Sequence, residues 1–271
     1  MTRAEIVRKN SGKVIWVTGS SSGLGRSLAL GLAAQGHTVI ASARNEESLS
    51  SLAKLSESIV ALPCDITDEK SVQAALAKVS ANFTGLDQII LNAGNCEYLE
   101  FPSPDWAAIR RVMEVNFFGT INCLQIALPL LRKSTVLRPH IVVVASQVTN
   151  APFAKAEAYG ASKAALQYFF SSLRIDLAVE NIDVSVVNPV FVDTPLTRKN
   201  EFDMPFLMDV EDAAQRVIKQ ISSRPRSYSF PKRLRALLLF SRLMPGIWQK
   251  MVSRDLSKAT PKSPTSQDIE Q

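Results

Sequence analysis

The chain has little of what metal or disulfide chemistry needs: two histidines and three cysteines in 271 residues. Cys64, Cys96 and Cys123 show no metal-like spacing and, being odd in number, close no disulfide framework, a usage that fits a reducing cytoplasm. His37 and His140 have no patterned carboxylate or cysteine partner, so both read as structural and no metal is expected. No apolar run approaches the roughly 18–20 residues of a bilayer-spanning helix, so the chain is not expected to cross a bilayer. Met1–Lys13 mixes Glu5 with Arg3, Arg8, Lys9 and Lys13 around no apolar core, so residues 1–12 read as an N-terminal extension and not as a signal peptide. General disorder is excluded too, because 46% of the residues are hydrophobic and only 21% charged, enough to bury a substantial core.

The net charge of +6 is local. Residues 219–258 hold ten Lys and Arg against the single Asp255, a surplus of nine that leaves the rest of the chain at minus three. A basic face spread over the fold is therefore excluded, and no aromatic platforms interleave with the cations, which argues against nucleic acid as a partner.

From Lys13 onward short β-branched runs alternate with helical patterns. Strands are expected at Val14–Val17, Thr38–Ser42, Ile59–Pro63, Gln88–Leu91, Ile141–Val144, Asp183–Val187 and Tyr228–Phe230. Helices are expected over Gly23–Gln35, Glu46–Leu55, Asp68–Val79, about Asp105 to Lys133, Ala158–Glu180 and Val210–Ser222. This rhythm implies an α/β fold, a single-domain Rossmann-type doubly wound parallel sheet over residues 13–230.

The first strand runs into Thr18-Gly19-Ser20-Ser21-Ser22-Gly23-Leu24-Gly25, which opens a helix. Glycines there allow a tight turn and close approach of a pyrophosphate to helix N-terminal amides. Arg44 ends the second strand 19 residues after Gly25, where an acid would bind both adenosine ribose hydroxyls and favour NAD. An arginine suits a 2′-phosphate instead and favours NADP(H).

Further stations follow in order: Asp65-Ile66 after the third strand, Asn92-Ala93-Gly94 after the fourth, Asn116 in the long helix, Ser146 after the fifth strand, Tyr159-Gly160-Ala161-Ser162-Lys163, and Asn188-Pro189 with Thr194 after the sixth. In this set the sequence resembles the short-chain dehydrogenase/reductase family over about residues 13–200. The resemblance implies an oxidoreductase that moves hydride between NADP(H) and a carbonyl or alcohol. It assigns the cofactor to Gly19, Ser21, Ser22, Gly23, Leu24, Gly25, Arg44, Asp65, Ile66, Asn92, Ala93, Gly94, Tyr159, Lys163, Pro189, Val192 and Thr194. Asn116, Ser146, Tyr159 and Lys163 are the implied catalytic residues, with Ser146 and Tyr159 also holding the substrate. It further implies a homodimer or homotetramer built through the helices bearing Asn116 and Tyr159.

The residue types suit that chemistry. Tyr159 and Lys163, four apart, share one helix face. A free tyrosine titrates near pH ~10, and a neighbouring ammonium would lower that value and favour proton exchange with a carbonyl oxygen. Ser146, 13 residues before Tyr159, would orient the same oxygen and stabilise its developing charge. Asn116 would help hold a water that reprotonates the site through Lys163. Ser162 and Gln167 read as helix surface or interface, while Cys96 and Tyr98 read equally as cleft lining or loop packing. The rival function is a catalytically retired NADP(H)-binding sensor or scaffold, which predicts loss of Ser146, Tyr159 or Lys163; all three are present.

Pro189-Val190 stands where many relatives have Pro-Gly, so the backbone there is expected to avoid positive φ. The segment at about 194–209 carries Phe202, Met204, Pro205, Phe206, Leu207 and Met208. It reads either as an apolar lid for a lipophilic ketone or aldehyde or as an ordinary helical cap. Residues 231–257 read as two basic, apolar helices broken at Pro245. They suit peripheral membrane contact through 232–254, a cap over the cleft, or a subunit interface. Residues 258–271 read as a disordered tail.

Overall fold

Val14–Thr18 (β1) is apolar on both faces, and its residues from Ile15 to Thr18 are all buried. A strand of that kind can only be central, because both of its faces need cover. The computed structural model describes residues 12–199, 204, 206–231, 238, 239, 241 and 243–259. Around β1 it builds a seven-stranded sheet in the order β3-β2-β1-β4-β5-β6-β7, with every neighbouring pair parallel. The other strands are β2 (Thr38–Ala43), β3 (Ile59–Pro63), β4 (Gln88–Leu91), β5 (His140–Val144), β6 (Asp183–Asn188) and β7 (Ser227–Ser229). The sheet is the doubly wound Rossmann-type arrangement expected from the sequence, and the reversal of strand order beside β1 opens a crevice at the strands' C-terminal ends.

The pleat of β1 divides the core. Ile15 and Val17 face α1 (Gly23–Ala34), α2 (Glu46–Ala53) and α7 (Val210–Ile221), packing with Leu28, Leu49 and Val217. Trp16 faces the opposite layer, which holds α3 (Glu69–Asn82), α5 (Gly119–Leu131) and α6 (Glu157–Leu177), and packs among Val79, Leu130 and Phe170. Its indole Nε1 donates to Ser42 Oγ at 2.8 Å, so full burial leaves no unpaired donor. Each large side chain so buried contributes roughly 1.5–3 kcal/mol.

The long helix expected from Asp105 to Lys133 is divided. It comprises α4 (Ala107–Met113), a π turn over Glu114–Phe118, and α5. The π turn carries an extra residue, and Asn116 within it is fully buried. Ala107–Leu131 is long and apolar enough by composition to cross a membrane, which the short apolar runs do not disclose. Here its middle and end pack on the sheet through Cys123, Ala127 and Leu131.

His140 is buried between strands, its ring nitrogens paired with Gln88 Nε2 at 3.0 Å and Ser185 Oγ at 2.8 Å. Burial pulls its pKa down to about 3, so it is a neutral member of the sheet. Val190 is absent from the residues with positive φ, as its β-branched side chain requires. Toward the C-terminus Leu238, Leu239, Ser241 and Leu243 are helical, Met244 is not, and α8 (Pro245–Ala259) starts at the expected proline. That helix carries two residues beyond the expected start of the tail. Lys232, Arg233, Arg235, Arg242, Phe202 and Pro205, together with residues 1–11 and 260–271, lie outside the described residues.

Candidate active site

The β1–α1 turn explains its own glycines. Gly19 has φ +71°, and a Cβ on it would lie 2.8 Å from Ala93 Cα; a Cβ on Gly25 would lie 2.2 Å from Gly19 O. Thr18 Oγ1 accepts the backbone amides of Asn92 at 3.0 Å and Ala93 at 3.1 Å, while Asn92 Nδ2 returns a bond to Thr18 O at 3.0 Å. Two strand ends are thereby locked side by side.

Asn45, Asp68 and Asp209 cap their helices with side-chain oxygens. Ser22, at the start of α1, makes no side-chain cap bond. The first amides of α1 therefore open onto the cleft with their hydrogen-bonding capacity uncommitted. An uncapped helix start above a cradle that admits no Cβ fits a dinucleotide pyrophosphate.

The cleft measures about 340 Å³, and every cofactor residue named from the sequence lines it. Thr67, Val144, Ala145, Val190 and Thr197 line it as well and carried no motif. Arg44 is exposed at the rim, and Asp65 is the one carboxylate in the lining among the described residues. Asp65 Oδ1 is engaged by Thr67 N at 3.0 Å and Thr67 Oγ1 at 2.8 Å.

At the inner end, α6 presents Tyr159 and Lys163 to the same cleft. The Lys163 ammonium lies 5.7 Å from the Tyr159 ring centroid and donates to Val144 O at 2.9 Å. Burial lowers its pKa to about 8. The pKa of the Tyr159 phenol is shifted upward in the protein alone. Burial, with a contribution from neighbouring Cys96, raises its pKa, and the hydrogen bond to Ser146 only partly offsets this. Desolvation is the largest cause, so the phenol is held protonated. Ser146 is buried at the end of β5, where its Oγ also accepts Val148 N at 3.1 Å. Ser146 and Asn116 stand behind the lining residues.

The Asn116 side chain is fixed by three hydrogen bonds. Its Oδ1 accepts Asn95 N at 2.8 Å, and its Nδ2 donates to Asn95 O and to Ser162 Oγ, each at 2.9 Å. Both amide hydrogens are spent, so the side chain ties the π turn to the loop after β4 and to α6. Ser162, expected at the surface, is fully buried and passes a 2.8 Å bond to Tyr159 O. Gln167 is likewise turned inward, donating to Ser146 O at 3.0 Å and to Asn188 Oδ1 at 2.6 Å. Helical spacing from Tyr159 was a usable signal for both, since Ser162 and Gln167 lie three and eight residues on. Cys96 and Tyr98 hydrogen-bond each other, and each acts electrostatically on Tyr159 or is acted on by it, yet neither lines the cleft.

The wall beyond Ser146 is closed by the C-terminal segment. Trp248 Nε1 donates to Pro152 O at 2.7 Å, its ring meets Phe153 edge-on at 5.5 Å, and Ser241 Oγ reaches Asn150 O at 3.4 Å. Leu238 and Ala151 are buried with Val190, Phe191 and Phe153 packed around them. These contacts tie the C-terminal segment to the loop that follows Ser146. At the base of the lid segment, Asp193 N donates to Met208 O at 2.8 Å and Met208 N to Phe191 O at 2.9 Å. Phe206 and Leu207 remain exposed.

Comparison with known proteins follows the same lines. The family model described as short chain dehydrogenase matches residues 13–204. An uncharacterized oxidoreductase of Myxococcus xanthus is 33% identical over 233 residues, covering 84% of this chain and 91% of that protein. The 11-beta-hydroxysteroid dehydrogenase A of Sesamum indicum is 32% identical over 217 residues, which are 78% of this chain but 58% of the relative. Among solved structures, a short-chain dehydrogenase from Streptomyces avermitilis superposes with a TM-score of 0.77 at 24% identity, covering 93% of this chain and all of that one. A 3-ketoacyl-(acyl-carrier-protein) reductase from Brucella melitensis, complexed with NADH, gives 0.74 at 24% identity over 81% and 96%.

Proposed function

The chain belongs to the short-chain dehydrogenase family, an oxidoreductase family acting between CH–OH and C=O with a nicotinamide cofactor, and from that premise we propose that it is an NADPH-dependent reductase of a lipophilic ketone or aldehyde. The observation that carries the reading is Tyr159: a half-buried phenol, hydrogen-bonded to Ser146 and held protonated at the wall of the cleft. A protonated phenol is the donor that reduction requires.

A nicotinamide bound in the cleft supplies the hydride. Ser146 and Tyr159 hold the substrate oxygen, and Tyr159 gives it a proton as charge develops there. Lys163, charged below about pH 8, steadies the phenolate left behind and binds the cofactor ribose. Asn116 and Ser162 hold the π turn and the Tyr159 carbonyl so that the phenol keeps its aim. Arg44 at the rim favours a 2′-phosphate, and the lining offers no acid beside it on β2 to bind a free ribose diol. The lipophilic substrate class is supported by Val190, Phe191, Phe153 and Trp248 beyond Ser146, with Phe206 and Leu207 on the lid.

A homo-oligomer is supported by Phe118 on the π turn and by Tyr168, Ile175 and Val179 near α6, all large apolar side chains left exposed. A reducing, cytoplasmic setting is supported by Cys64, Cys96 and Cys123, none of which forms a disulfide. The test is cofactor depletion with NADPH and NADH over carbonyls graded by chain length. Faster NADPH oxidation that grows with chain length is expected; preference for NADH or for small polar carbonyls overturns the corresponding half of the proposal.

A further inference from the structure

We propose that the outward face of α8 is a docking surface for an anionic lipid bilayer. The helix is two-sided. Trp248 and Val252, one turn apart, face the body of the protein, and Trp248 is bonded to Pro152 O and packed on Phe153. On the other side Leu243, Ile247 and Met251 follow one another at four-residue intervals and are exposed, Leu243 at 78% and Met251 at 54%, with Met244 beside them. Ile247 and Met251, four apart on α8, share a helix face, and the exposed Leu243 and Met244 stand immediately before the helix, so the segment presents apolar side chains to the surface.

The charge around these side chains selects the occupant. Lys250 is exposed on α8, and Arg254 and Lys258 follow it in the sequence. No Asp or Glu occurs in the sequence between Asp212 and Asp255, so Lys250 has no acidic neighbour along this helix before Asp255. A second copy meeting this face about a two-fold axis would bring Lys250 against its own copy, with no acid in residues 243–253 to pair it. A bilayer containing anionic lipid answers both features: its headgroups meet Lys and Arg, and its acyl boundary takes up Leu, Ile and Met. The grip of Trp248 on the loop following Ser146 then places the substrate wall next to the lipid. Delivery of a bilayer-dissolved carbonyl to that wall rests on the function proposed above, whereas the docking does not.

The experiment is vesicle flotation of the full chain with phosphatidylcholine alone and with added phosphatidylserine, comparing the wild type with the Ile247→Asp/Met251→Asp double variant. The wild type is expected to float with the anionic vesicles and to be released by high salt. The double variant should partition about tenfold less or weaker still, with unchanged turnover of a water-soluble carbonyl. Should the double variant fail to fold, Lys250→Glu, on a solvent-exposed side chain, tests the same surface and should also reduce flotation. Equal flotation of wild type and folded variant overturns the proposal. So does a loss of oligomeric mass in the variant when the wild type binds no vesicles, which would assign this face to a second copy. Flotation needs no turnover, so failure here is separate from failure of the reductase reading.

Discussion

Gln167 holds the carbonyl oxygen of Ser146 at 3.0 Å while its same nitrogen reaches Asn188 Oδ1 at 2.6 Å. One side chain on α6 therefore sets the spacing between the ends of β5 and β6, on which the substrate side and the cofactor side of the cleft are built. Gln167 is a positioning residue. Gln167→Leu leaves a buried carbonyl and amide short of a donor and is expected to lower stability by about 1–3 kcal/mol. Steady-state kinetics should show kcat falling more than KM rises, because Ser146 is displaced rather than lost; denaturant midpoints check the stability.

Tyr159→Phe removes the proton donor and keeps the ring. Turnover should fall by roughly 10²–10⁴-fold. NADPH affinity, read by fluorescence titration, should stay close to wild type. Retained turnover would remove Tyr159 from the catalytic role.

Arg44→Asp exchanges a cation at the rim for a group that suits a ribose diol. Loss of a charge-assisted contact worth about 1.5–3 kcal/mol should cut kcat/KM for NADPH by roughly ten- to a hundredfold. The value for NADH should hold or rise. Matched assays with the two cofactors decide it.

Lys163 couples the site to stability. Its pKa is about 8 in the folded protein against 10.5 for a free lysine. The unfolded chain therefore binds the extra proton between those values, and the slope of stability with pH is positive there. Charging Lys163 opposes folding fully below about pH 8, and this opposition is relieved as pH rises toward 10. Lys163→Met should flatten that rise by about 2–3 kcal/mol in melting curves taken between pH 7 and 10, relative to wild type. The same variant should lose activity at every pH.

Much of the fold was legible because β-branched runs and helix caps act over a few residues. Ile59–Pro63 and Gln88–Leu91 fall at the expected bounds, and Asp68 starts its helix as the cap. The cofactor turn was legible for the same reason: Gly19 and Gly25 answer to contacts within the turn and with Ala93. The π turn was not, because Glu114–Phe118 has ordinary helical composition and its extra residue is held in place by Asn95 and Ser162 from other parts of the chain. The inward turn of Gln167 was hidden similarly, since its partners lie 21 residues away in either direction. The raised pKa of Tyr159 depends on burial, which neighbouring residues in the sequence do not report.

Trp248 bonds to Pro152 across 96 residues of chain, whereas Asn92 closes the cofactor turn on Thr18 across 74 residues near the N-terminus. The residues that line the nucleotide cleft all precede α8 in the chain, so every one of them is synthesised before the Trp248 contact can form. A chain ending before α8 would carry the whole cradle without the support that Trp248 gives the loop after Ser146.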